Sequence, residues 1–226
     1  MKLPSITRAQ VRAYIPRFLF CVLGNFLIGF GVGMTKLAAF GIDPYNGSCF
    51  AVSSFFGIAY TLYTPLFNLF LFIFEVLFGR KYIGVGTFIN WFLVCYAVSF
   101  TLLIFDGVAP AVADSFVLRV VFLAVGLLIC CLGIAIYQLC DAGIAPFDVL
   151  PIMVCDRLPK LPFFWSRMFF DGLCVALIFI FHGSFGDEIG IGTLITAFCL
   201  GPVIHFFTFL IEKFILKTRG TQHETA

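Results

Sequence analysis

Charge is what this sequence has least of. Only 12% of its 226 residues are Asp, Glu, Lys or Arg. A soluble domain carries about 25%, so too little polar surface is present to meet water on every side, and a soluble globular fold is excluded. The formal net charge is +2, and many of the basic residues stand at the two ends: Lys2, Arg8, Arg12 and Arg17 at the front, Lys213, Lys217 and Arg219 at the back. No basic face follows a folded domain, so a nucleic-acid partner is not expected.

Catalytic and metal-binding patterns are also missing. The three histidines, His182, His205 and His223, are far apart, and the nine cysteines include no C-x-x-C pair. That spacing argues against a zinc site, and the odd number argues against a disulfide framework. The cysteines lie in or beside apolar runs, where a free thiol serves as a small apolar filler. No Ser-His-Asp or Cys-His set emerges from spacing, and no Walker lysine accompanies the glycines. An enzyme is not expected, and neither a cofactor nor a metal is implied.

What is present is apolar length. Hydrophobic residues make up 62% of the chain, with a mean hydropathy of +1.09. Apolar runs occupy 17–40, 61–78, 84–105, 116–140, 162–182 and 188–211, with two shorter ones at 45–57 and 146–156. A bilayer core needs about 20 helical residues to cross. The prediction is an all-α integral membrane protein with about six transmembrane helices and two short broken or re-entrant helices. The basic start, 1–16, reads as a cytoplasmic leader into a retained first span, because no small-residue cleavage pattern follows it.

Charge placement agrees with that count. With the N-terminus in the cytoplasm and both short runs dipping in and returning, Arg80, Lys81, Arg157 and Lys160 fall inside, and Asp106, Asp114, Asp187 and Glu188 outside. This obeys the positive-inside rule. Full crossings by both short runs would put Arg80 and Lys81 outside. A plasma-membrane protein with both termini cytoplasmic is expected.

The chain also repeats itself. Gly24, Gly31, Gly41, Ile42 and Pro44 recur as Gly126, Gly133, Gly143, Ile144 and Pro146; Asn68 recurs as Asp171; and GVGTFI from Gly84 recurs as GIGTLI from Gly190. Three crossings per copy is odd, so the second copy must enter from the opposite side. An inverted repeat follows: repeat 1 over 17–106, a connecting loop at 107–115, repeat 2 over 116–211 and a cytoplasmic tail at 212–226.

GIAPFDVL, the pair Arg167 and Asp171 in SRMFFDG, and GIGTLITAFCLGP resemble the YczE/YyaS/YitT group of bacterial multipass membrane proteins, the YczE-like branch above all. The resemblance spans about residues 17–210 and is more specific in the second half. YitT-type relatives often carry a further C-terminal soluble domain, which this chain is too short to hold. The family pattern often has Trp and then Asp after the proline; here Tyr45 and Asn46 stand in the first copy, Phe147 and Asp148 in the second. The resemblance implies class and membrane location and carries no particular activity.

Gly41, Pro44 and Tyr45, like Gly143, Pro146 and Phe147, form a phrase that ends one helix and starts a short one. Asn46 and Asp148 fall in the first turn, where they either cap free N–H groups or line a site at membrane depth. Arg167 and Asp171, four apart, share a helix face. They either neutralise one another or anchor a charged group, with Asn68 on the opposite wall. Asp43 completes the candidate binding set of Asp43, Asn46, Asn68, Asp148, Arg167 and Asp171. Gly84, Gly86, Thr87, Gly190, Gly192 and Thr193 read as a packing motif at tight helix entries, and Asn25 and Asn90 as links between helices. Glu75, near Arg80 and Lys81, is expected to pair or to snorkel to the interface.

Two functions fit. One is a small secondary transporter with a site between the repeats, taking an unknown small molecule, partly apolar or a proton-coupled weak acid. The other is a non-transporting accessory or assembly partner in the bilayer, itself a homo-oligomer or bound to another membrane protein.

Overall fold

A computed structural model of the chain describes residues 8–182 and 190–223. Among the described residues every regular element is a helix: α1 Arg8–Ala38, α2 Pro44–Phe55, α3 Tyr60–Phe78, α4 Val85–Ile104, α5 Ala109–Asp114, α6 Phe116–Leu139, α7 Pro146–Arg157, α8 Phe163–His182 and α9 Ile191–His223. Five of them, α1, α3, α4, α6 and α8, hold stretches long and apolar enough to cross a membrane. The sixth expected span, 188–211, falls largely on α9, part of which lies outside the described residues together with Asp187 and Glu188.

Helix extends beyond the apolar runs at three places. The leader is helical from Arg8, because Pro16 lies inside α1 without ending it. The tail stays helical to His223. The connecting loop contains the short α5.

Helix–helix contact is made through glycine. A Cβ on Gly24 would strike the carbonyl of Gly133, and one on Gly31 the carbonyl of Gly126. These pairs set α1 antiparallel to α6 with backbone against backbone, the close approach that small residues permit in membranes. On its other side α1 meets α4: Gly29 faces Val94 and Ala97, and Gly33 faces Thr101. Asn90 donates to Asn25 Oδ1 across the same seam at 2.6 Å, so the two asparagines join helices as expected. Positions rise together along both chains, so α1 and α4 run parallel. Helices α3 and α4 run antiparallel, with Trp91 Nε1 donating to the Pro65 carbonyl at 2.8 Å and Phe72 against Phe88.

Parallel α1 and α4 decide the role of α2. Between them α2 and α3 must make one net crossing, and α3 makes it. At 12 residues α2 is about 18 Å long, short of the ~30 Å core. It returns to the face it left. Its end reaches the end of α8, where Phe55 and Phe56 meet Phe181. Large apolar side chains such as Leu103, Phe116, Val117 and Ile180 stand exposed around the outside, the surface a lipid-facing bundle needs.

Candidate functional site

Two broken helices bring the polar residues together. Helix α1 ends with Ala39 and Gly41 at φ 51° and 100°, and α6 ends with Asp141 and Gly143 at φ 47° and 114°. These left-handed residues turn the chain back, and Pro44 and Pro146 then open α2 and α7, where a missing N–H costs nothing. Each turn is held from elsewhere in the sequence. Gly86 N donates to the Ala142 carbonyl, and Gly192 N to the Phe40 carbonyl, both at 2.7 Å. Thr87 Oγ1 accepts from Gly84 N at 3.1 Å, and Thr193 Oγ1 from Gly190 N at 3.3 Å. The six residues predicted as a packing motif thus clamp the two breaks, each G-x-G-T on the distant one.

The first turns of α2 and α7 meet. Tyr45 and Phe147 stack with ring centroids 4.6 Å apart, and Arg167 lies over Phe147 at 5.0 Å. Beside them is a cavity of about 90 Å³ lined by Asp43, Asn46, Asn68, Asp148 and Arg167 and closed on its apolar side by Val32, Cys130 and others. Arg167 Nη1 pairs with Asp148 Oδ1 at 2.7 Å, and its Nε with Asp171 Oδ2 at 3.3 Å. The predicted pair within α8 is present, and a third charge from α7 joins it. Tyr45 donates to Asn68 Oδ1 at 2.8 Å, and Tyr60 to Asn46 Oδ1 at 2.6 Å. Five of the six candidates line the cavity. Asp171 stands behind Arg167, 8% exposed, with Oδ1 lacking a hydrogen-bond partner among the described residues.

Capping is assigned differently from the first-turn expectation. Asp43 caps α2, accepting from Asn46 N at 3.0 Å, because it alone precedes the first turn. The Asn46 amide instead donates to the Asp43 carboxylate and accepts from Tyr60. Helix α7 has Ala145 at the cap position with no side-chain bond, and Asp148 turns to Arg167.

Larger in volume is an apolar hollow of about 480 Å³ between α7 and α8, lined by Val154, Trp165 and Phe169 among others. Its one hydroxyl, on Ser166, is bound to the Pro151 carbonyl. No charged side chain lines it, and the Trp165 indole N–H is its one other polar side-chain group, so the smaller cavity, with its charged and amide groups, is the candidate site. Cysteines line the interior, as expected of apolar fillers: Cys21, Cys49, Cys95, Cys130, Cys131, Cys140 and Cys174 are all buried and outside any disulfide.

Two residues were misread or missed from sequence. Glu75 neither pairs nor snorkels: it is 0% exposed, and neither carboxyl oxygen has a hydrogen-bond partner among the described residues. Arg119 caps the end of α1. Its Nε donates to the Ala38 carbonyl at 2.8 Å and its guanidinium to that of Ala39, the place where a cation suits the helix dipole. The signal was its spacing from Arg17, equal to that between Gly24 and Gly126. At the rim, Lys81 pairs with Asp156 at 2.6 Å. Hydrogen bonds from Lys81 and Tyr82 hold the Asp156 carboxyl below its ordinary range.

Comparison with known proteins follows the same extent. The description "Family of unknown function (DUF6198)" matches residues 15–209, a stretch that takes in both breaks, both G-x-G-T clamps and the cavity. The chain belongs to the DUF6198 family. This DUF6198 protein is similar to the uncharacterized protein YyaS of Bacillus subtilis, 24% identical over 204 residues, covering 90% of this chain and 98% of YyaS. It is similar to the uncharacterized membrane protein YczE of the same organism, 24% identical over 191 residues and covering 84% of each. An uncharacterized protein of Haemophilus influenzae is 25% identical over 189 residues, covering 83% of this chain and 81% of its own. No solved structure matches the DUF6198 chain.

Proposed function

We propose that this DUF6198 protein is a small secondary transporter of the plasma membrane, with both termini cytoplasmic and two inverted repeats around one central site. One observation carries the reading: the first turns of two short discontinuous helices open from opposite sides into a single polar cavity. Discontinuous helices meeting at membrane depth are how transporters with inverted repeats form their sites. Paired features at matched offsets support the repeat. Ala39 and Gly41 turn as Asp141 and Gly143 do, and each G-x-G-T motif clamps the break of the other repeat. Rocking one repeat on the other about the Gly24–Gly133 and Gly31–Gly126 seam would expose the cavity to either side in turn.

The charges narrow the substrate. Arg167 is already engaged by Asp148 and Asp171, and Asp43 joins Asp148 as a second acid on the cavity wall. An excess of acid over base favours a small cation or weak base over the weak acid suggested by composition. A cavity of about 90 Å³ is well below the ~300 Å³ typical of drug-sized sites, so the solute is small.

The test is a thermal-shift screen of the purified protein with small amines, inorganic cations and carboxylic acids. Wild type is run beside Asp148→Asn, Arg167→Gln and the double variant that removes the pair as a unit. The expected result is a small cation that stabilises wild type, by about 2.7 kcal/mol at 100 times its Kd, and stabilises folded Asp148→Asn far less. Folded wild type that responds to no compound, or variants that respond equally, would overturn the reading and direct the search to a membrane partner instead.

A further inference from the structure

Glu75 is an acid that the site does not use and the fold does not need. It is fully enclosed in α3, and among the described residues neither oxygen finds a hydrogen-bond partner. A buried carboxyl in that condition is costly, and an ionised one far more so. An acid within a membrane segment marks function by default when nothing pairs it. The repeat sharpens the point. Counting from the matched pair Asn68 and Asp171, the position in α8 equivalent to Glu75 is Ile178, also 0% exposed. The packing slot is therefore filled by a plain hydrophobe in one copy, and the acid in the other is not there to complete the core.

Its place in the fold connects it to the site. The buried face of α3 is the stripe Tyr60, Thr64, Asn68, Leu71 and Glu75. Asn68 lines the cavity. Glu75 lies seven residues further along the same face, about 10 Å at 1.5 Å per residue. Between them Leu71 packs with Phe147, the ring that stacks on Tyr45 and lies under Arg167. Tyr137 of α6, buried, lies within electrostatic reach of both Asp148 and Glu75. Beyond Glu75 the helix ends at Gly79, against Met153 of α7.

The neighbouring titratable and charged groups are engaged elsewhere or neutral. From α7, Asp148 pairs with Arg167, Asp156 with Lys81, Arg157 lies over the Phe78 ring at 4.4 Å, and Cys155 is a free thiol. From the turn after α3, Arg80 Nε donates to the Val76 carbonyl at 2.8 Å. Helix α4 offers Cys95 and Tyr96 and no charge, and α2 offers Tyr45 and Cys49.

We infer that Glu75 is a proton-binding site of this protein, a carboxyl that takes up and releases a proton two helical turns from the central cavity, on the side of Arg80 and Lys81. Its part in a transport cycle rests on the transporter reading; proton binding itself does not. Opening of the α3–α7 contact at Gly79 and Met153 would admit water to Glu75, and closure would seal it with its proton. The group bound is the proton, and no oxidant or co-reactant is required.

The experiment is pH-difference infrared spectroscopy on the purified full chain, reading the C=O stretch of a protonated carboxyl. Subtracting the Glu75→Gln spectrum from that of wild type is expected to leave a titrating band, a component lost with Glu75 alone among the chain's twelve acids, and one that Asp148→Asn and Asp156→Asn both keep. Glu75→Leu is expected to fold with a Tm at or above that of wild type, as Ile178 implies. A Glu75→Gln spectrum with the same titrating carboxyl bands as wild type, or a Glu75→Leu chain that cannot fold, would overturn the inference. Loss of the proton site leaves the cavity reading to its own ligand screen. A titrating Glu75 beside an empty ligand screen sustains the proton site and removes the transport cycle around it.

Discussion

Single residues divide the labour at the two breaks unequally. Asp43 and Asn46 stand at the first break where the second has Ala145 and Asp148. At the first break the acid caps the helix and the amide bridges the cap to Tyr60. At the second the side-chain cap is missing and the acid is directed at Arg167. Asp43→Ala should therefore cost about 1 kcal/mol, the usual price of a lost N-cap, with Asp43→Asn close to wild type in thermal unfolding. Equal losses from both would show that the carboxylate's charge matters more than its cap. The pairing of Arg167 with Asp171 was legible from spacing alone. That of Arg167 with Asp148 was not, because 19 residues and a loop separate them.

At the scale of elements, glycine sets the geometry at few places and for different reasons. Gly143 combines φ 114° with the backbone of Gly84 packed against it. Gly143→Ala should destabilise the protein by about 1–3 kcal/mol, the range for a residue held in a sparsely populated region. Gly172, mid-helix in α8 with open space where a Cβ would stand, should behave oppositely. Gly172→Ala should leave stability unchanged or raise it by up to about 1 kcal/mol through helix propensity. Thermal unfolding of the two variants side by side reads both. A Gly143→Ala protein as stable as wild type would mean that the break relaxes without cost.

The whole molecule is organised by the direction of α1 relative to α4. Because they run parallel, residues 12 and 80 belong on one face of the membrane and residues 58 and 107 on the other. In a cysteine-free background, Arg12→Cys and Arg80→Cys should be labelled by an impermeant thiol reagent from the same side, and Ile58→Cys and Gly107→Cys only from the opposite side. Labelling of positions 12 and 80 from opposite faces would make α2 a full span and remove the topology on which the proposed inverted repeat rests.

Composition and periodicity by themselves determined the membrane class, the eight apolar segments and both helix breaks. Apolar length and the backbone limits of Gly and Pro are local properties that a sequence displays directly. The candidate residues were legible for the same reason: six polar residues stand out wherever nearly everything else is apolar, and the structure sets five of them on one cavity wall, with Asp171 behind Arg167. Only tertiary structure decided which acid caps and which pairs, since a hydrogen bond depends on where a distant helix delivers its partner. Only tertiary structure revealed Glu75 as enclosed, because a position near a helix end looks like an interface until the neighbouring helix is seen to cover it.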